Sequence, residues 1–152
     1  FPARAPRMHP GLSRAMRDLY DFAVRYEDFL FANLRDATDA RRVSSPTHRL
    51  SSDAESGAIW TVARERADGT LALNLINLIG VDDQWRNPCA NPAPQTNVVL
   101  KFRTDRKIRR AFLATPDDGL GRPRELPVQQ DEAGVAIVVP RLEFWNLAIL
   151  EP

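Results

Sequence analysis

The stretch from Ala58 to Ile79, AIWTVARERADGTLALNLINLI, decides the fold. Residues Ala58–Ala63 and Leu71–Ile79 are rich in β-branched and aliphatic side chains, which places them in strands. Between them stands Ala67-Asp68-Gly69, whose Asp-Gly pair supplies the positive φ of a tight hairpin. Working towards the C-terminus, further strand candidates fall at Asn97–Phe102, Arg110–Ala114, Arg124–Val128, Val135–Val139 and Phe144–Leu150. Turn chemistry separates them at Thr104-Asp105, Pro116-Asp117-Asp118-Gly119, Asp131-Glu132-Ala133-Gly134 and Pro140. Short strands with turns between them and no intervening helix predict a mainly β fold, an antiparallel Greek-key β-sandwich.

Towards the N-terminus the period changes. Residues 1–12 are rich in proline and arginine and read as a loop. From Ser13 to about Arg35 the pattern is helical, with Leu12, Met16, Leu19, Ala23, Tyr26, Leu30 and Leu34 spaced by three or four. Ser13 is the expected N-cap, with Pro10 and Gly11 breaking the chain before it. Phe22, Phe29 and Phe31 widen the apolar surface beyond one stripe, so the helix requires cover over a broad arc. The change from helical to strand periodicity falls within Arg41–Ser56.

The 152 residues suit one domain, or a domain with a short adjoining piece, and 43% hydrophobic with 27% charged is a globular balance. A formal net charge of +1 gives no whole-chain attraction to nucleic acid or a membrane surface. Arg103, Arg106, Lys107, Arg109 and Arg110 form a basic cluster that reads as a solvated face. Cys89 is the one cysteine, which excludes an intrachain disulfide and a cysteine-based zinc site, and reads as a small buried filler. His9 and His48 lack ligand spacing, so no metal or cofactor is expected. No apolar run of about 18 residues is present to span a membrane, and the first residues lack the apolar core of a signal peptide.

Chemistry is sparse. Asp82-Asp83 and Asp117-Asp118 are adjacent pairs in loops, a position typical of turn formers, and Glu143 and Glu151 flank the last strand candidate without an evident partner. No catalytic residue is assigned. The distinctive segment is the loop after Ile79, where Trp85, Arg86 and Asn87 combine a ring for stacking on a pyranose with donors for its hydroxyls. Trp60 and Trp145 lie inside strand patterns and are expected in the core.

Several pieces in order resemble glycoside hydrolase family 66, the dextranases and cycloisomaltooligosaccharide glucanotransferases. They are Arg17-Asp18-Leu19-Tyr20-Asp21-Phe22 with Tyr26-Glu27, Val43–Ser51, Ile59-Trp60-Thr61, Leu75-Ile76-Asn77-Leu78, Trp85-Arg86-Asn87 and Phe144-Trp145. The resemblance implies an extracellular parent with an N-terminal immunoglobulin-like domain, a (β/α)8 barrel and a C-terminal β-sandwich. It further implies that an aspartate nucleophile and a glutamate acid/base on barrel strands cleave α-1,6-glucan with retention. No position of this chain matches those two residues. Residues 1–42 then correspond to a loop and the last helix of the barrel, and 43–152 to the C-terminal sandwich. The expected role is an accessory, structural one, with the upstream barrel and α-glucan as partners. The alternative is a carbohydrate-binding module that recognises isomaltooligosaccharides through Trp85, Arg86 and Asn87. Hydrolysis needs two carboxyl groups about 5–10 Å apart across the scissile bond. Incubated alone with dextran, the chain is expected to release no reducing ends, and measurable release would contradict the absence of a catalytic pair.

Overall fold

The computed structural model describes residues 10–32, 34–38, 43–82, 91–118 and 121–152. Two helices come first, α1 (Pro10–Arg25) and α2 (Glu27–Leu30). Eleven strands follow: β1 (Arg35–Asp36), β2 (Val43–Ser44), β3 (Leu50–Ser51), β4 (Ile59–Glu65), β5 (Leu71–Asn77), β6 (Gln95–Phe102), β7 (Arg110–Ala114), β8 (Arg124–Leu126), β9 (Gln129–Asp131), β10 (Gly134–Leu142) and β11 (Trp145–Glu151). The protein is mainly β, with one substantial helix.

The strands form two sheets. The larger runs β1-β4-β5-β11-β7-β8, with the short β3 alongside β4; the smaller runs β2-β6-β10-β9. Every pairing is antiparallel except β3 with β4, which share the edge of β4 with β1 at its other end. The chain crosses between sheets after β1, β2, β5, β6, β8 and β10, so β11 arrives last and enters between β5 and β7.

Alternation in β4 shows why these residues make a sheet with two different faces. Ile59, Thr61 and Ala63 are buried inward, while Trp60, Val62 and Arg64 face the other way and are half-buried. Inward residues of both sheets, among them Leu73, Leu75, Leu100, Ile137, Val139 and Leu150, form one apolar core. Burial of such aliphatic side chains stabilises by about 1.5–3 kcal/mol each. At the edge of this core Glu65 is 6% exposed and takes Arg35 at 2.6 Å and Arg106 at 3.5 Å, so the buried charge is neutralised.

The β4–β5 hairpin turns where the sequence places it. Gly69 has φ 88°, its N–H reaches Arg66 O at 2.9 Å, and the Asp68 carboxylate accepts the Thr70 N–H at 2.8 Å. All seven strand candidates are present, and the four additional strands are two or three residues long.

Four local expectations are corrected. Helix α1 begins at Pro10, so Ser13 lies inside its first turn and is not the N-cap; proline is at home there because a first-turn N–H has no intrahelical acceptor. The helix also stops early. Tyr26 departs from helical geometry at φ −110° and ψ 22°, and Arg35 is already in β1. Pro140 marks no turn but sits within β10, in register with Asn97, whose φ is 53°. The ladder bonds missing there fall beyond the short β9, which pairs only with Gly134–Ala136, so the edge tolerates a residue without an N–H. Trp60 and Trp145 are half-buried on the outer face of the large sheet, because their strand register points them away from the inter-sheet core.

That outer face carries the helix. Phe22 and Tyr26 are 1% and 5% exposed and pack with Ala72, Ala114, Leu147 and Ile149 in a second apolar cluster. Phe22 meets Trp145 edge-on at 4.9 Å and Tyr26 at 4.8 Å. The buried Tyr26 hydroxyl donates to Gly121 O at 2.7 Å, and burial pushes its pKa up.

At the β9–β10 turn, Gly134 has φ 137° and a Cβ there would stand 2.0 Å from Phe102 O. Gly134→Ala is therefore expected to cost about 2–4 kcal/mol in denaturant unfolding. Gly57→Ala, at φ 76° with nothing within 4 Å, is expected to cost only about 1–2 kcal/mol.

Candidate functional site

Trp85, Arg86 and Asn87 lie outside the described residues, as does Cys89. The structure does show how the ends of their loop are held. Asn77, 3% exposed at the end of β5, donates through Nδ2 to Ala93 O at 2.8 Å and to Glu143 O at 2.9 Å. Its Oδ1 accepts the Ile79 N–H at 3.1 Å, and Ala93 N–H reaches Ile79 O at 2.8 Å. One side chain thus closes the base of the loop and fastens it to the β10–β11 turn. Nothing in the sequence beyond a polar residue in an apolar run marks Asn77 for that role.

The β10–β11 turn is held from a second side. Asp117 Oδ2 accepts the N–H of Phe144 at 2.9 Å and of Trp145 at 3.1 Å, while Thr115 Oγ1 donates to Trp145 O at 2.7 Å. Asp118 Oδ1 accepts the Gly121 N–H at 3.0 Å, which shapes the β7–β8 loop that also receives the Tyr26 hydroxyl. Both carboxylates of the Asp117-Asp118 pair therefore work as turn formers. Desolvation pushes the Asp117 pKa up, against the lowering pull of the Phe144 and Trp145 N–H groups, and nearby Glu143 adds to the rise. One side of Asp117 stays open to solvent, which limits what this shift means for stability. Glu143 is paired with Arg141 at 2.8 Å. The β7–β8 loop and the β10–β11 turn line a cavity of about 330 Å3.

Other groups singled out by the sequence are structural. Thr47 Oγ1 accepts the Val99 N–H at 3.2 Å and contacts His48 Nδ1 at 2.8 Å, fastening the Val43–Ser51 segment to β6. In the basic cluster, Arg106 reaches Glu65, and Arg110 pairs with Glu125 at 3.3 Å while covering the Phe112 ring. Among the described residues no three His, Cys, Asp or Glu side chains gather as a metal site, and no helix is long and apolar enough to cross a membrane.

The second surface of note is the helix. Leu12, Met16 and Leu19 continue the stripe of Phe22 and Tyr26 but remain 52%, 37% and 45% exposed, and Tyr20, Val24 and Phe31 are more exposed still. Apolar side chains gathered like this on a soluble surface mark an interface.

The two-sided helix and the mainly β fold are properties that known proteins can be compared with, and the family follows from that comparison. The family model for glycosyl hydrolase family 66 matches residues 1–149, and the chain belongs to that family. Two cycloisomaltooligosaccharide glucanotransferases of Niallia circulans are 32% and 29% identical over 99% of this chain, which spans only 16% of each. A crystal structure of the Paenibacillus sp. cycloisomaltooligosaccharide glucanotransferase complexed with cycloisomaltoheptaose superposes at a TM-score of 0.81 with 29% identity. It is matched over 93% of this chain and 21% of its own. Alpha-L-fucosidase isoenzyme 2 of Paenibacillus thiaminolyticus shares the fold alone, at a TM-score of 0.52 and 13% identity over 75% of this chain and 16% of its own. The chain is thus part of a larger protein.

Truncating Asn77 takes the side-chain partner from Glu143 O and the Ile79 N–H and leaves Ala93 O to Gln95 alone, so Asn77→Ala is expected to cost about 2–4 kcal/mol. Asn77→Asp faces a carboxylate with the Ala93 and Glu143 carbonyls, which favours the protonated form and raises its folded-state pKa. The penalty is then present at neutral pH and eases as pH falls through that raised value. Thermal melts of both variants between acidic and neutral pH check this.

Proposed function

We propose that this chain is the non-catalytic C-terminal part of a secreted, dextran-active family 66 enzyme, and that it packs on the catalytic (β/α)8 barrel of the same protein through α1. The observation that carries this reading is the two-sided helix. Phe22 and Tyr26 are sealed against the sheet while Leu12, Leu19 and Val24 face outwards, so α1 is built to lie between two bodies. The chain also spans 16% of its glucanotransferase relatives, which leaves ample protein to supply the second body. On this reading residues 1–42 belong with the barrel and 43–152 form the accessory sandwich. Substrate is α-1,6-linked glucan, and the Asp and Glu that cleave it stand on the barrel.

A second reading, a module that holds isomaltooligosaccharides, is favoured by the way Asn77 clamps the loop bearing Trp85, Arg86 and Asn87. Binding that disappears in Trp85→Ala would support it over a purely structural role.

The barrel contact is tested in the full-length enzyme with Leu19→Glu and Val24→Glu, exposed side chains that belong to neither of this chain's core clusters. Burying a charge at the interface is expected to cost about 2 kcal/mol or more and to lower the melting temperature by several degrees. An unchanged melt would remove the helix from the interface.

A further inference from the structure

The cavity of about 330 Å3 beside the β10–β11 turn lies at the lower end of the range for small-molecule sites, about 300–1,000 Å3. Leu113 and Pro140 give it an apolar wall, and Asp117, Arg122, Arg124 and Asn146 bring polar groups to it. Asn146 is the informative member. It is 1% exposed, and its Nδ2 is committed to Arg141 O at 2.8 Å. Every fully buried side-chain polar atom among the described residues has a partner, yet Asn146 Oδ1 has none on the protein. Asn146 is among the residues that line the cavity. The side chains of Arg122 and Arg124 likewise make no ion pair or hydrogen bond among the described residues.

Charge selects the class of ligand. Arg122, Arg124 and Arg141 are balanced by Asp117, Asp118 and Glu143, so the lining is neutral overall and offers both donors and acceptors at short range. An anion would meet the carboxylates and a cation the guanidinium groups. A neutral ring with several hydroxyls, each both donor and acceptor, satisfies both. Phe144 stands 43% exposed next to Glu143, with its N–H fixed by Asp117, and can cover the apolar face of such a ring.

We infer that this cavity is a sugar subsite for a neutral glucosyl unit, read by Asn146, Arg122, Arg124 and Asp117 and held in shape by the β10–β11 turn. The choice of an α-glucan as its occupant rests on the function proposed above. The subsite is separate from Trp85, Arg86 and Asn87 in sequence, and Asn77 links the two regions through Glu143 O.

Hydrogen-exchange mass spectrometry of the full-length protein, with and without isomaltotriose, tests the inference. Exchange in segments 113–118 and 141–147 is expected to slow with sugar, and the Arg122→Ala/Arg124→Ala double variant to need roughly tenfold more sugar for the same effect. Protection confined to other regions, or protection of these segments that the double variant leaves unchanged, overturns the subsite while the α-glucan reading stands. No protection anywhere in the protein overturns that reading and the subsite with it.

Discussion

The large sheet depends on the placement of β11 between β5 and β7. Trp145–Glu151 pairs with Leu71–Ile76 on one side and Arg110–Ala114 on the other, so its backbone groups are spent inside the sheet. Its side chains are divided just as fully: Ala148 and Leu150 enter the inter-sheet core, and Leu147 and Ile149 lie under α1. A central strand buried on both faces reads as a continuous apolar run, and Leu147–Leu150 is one. The seat of the helix and the centre of the large sheet are therefore complete only with this strand in place.

The helix follows from the same strand. Leu147, Ile149 and Trp145 make the outer face of the sheet apolar where a solvated sheet would alternate to polar, and Phe22 and Tyr26 cover it. The Tyr26 hydroxyl would be stranded by this burial, and Gly121 O receives it. Gly121 can come so close because, at φ 56°, it has no side chain to press on Phe22, where a Cβ would stand 3.2 Å from the ring. The β7–β8 loop therefore serves the helix through Gly121 and the β10–β11 turn through Asp117, and an aromatic contact on one face is linked to the cavity at the end of the sheets.

Much of this was legible because seven strands carry enough inward aliphatics for a period to show, and because Asp68-Gly69 has one efficient conformation. The strands that escaped notice, β1, β2, β3 and β9, have two or three residues, too few for any periodicity. Trp60 and Trp145 were misplaced because alternation says which residues share a face but not which face meets the core; a helix on the outside makes both faces apolar. Pro140 was read as punctuation, since its tolerance in β10 depends on how short β9 is. The cavity was invisible for a related reason. Asn146, Arg122 and Arg124 are unremarkable residues until strand order brings the β7–β8 loop and the β10–β11 turn to one end of the molecule.

How the carboxylates are used bears on the accessory role proposed for this chain. The Asp36 carboxylate accepts the Thr38 N–H and Asp68 that of Thr70, and these backbone hydrogen bonds hold both pKa values below the usual aspartate range. Asp131 Oδ1 accepts the N–H groups of Ala133 and Gly134, while Glu65, Glu125 and Glu143 are paired with arginines. A glycosidic acid must instead stay protonated near neutral pH, which calls for desolvation and not for extra donors. Desolvation pushes Asp117 in that direction, and both its backbone donors come from the turn beside the cavity. Its neighbours are likewise engaged: Glu143 is bound to Arg141, and Asp118 accepts the Gly121 N–H.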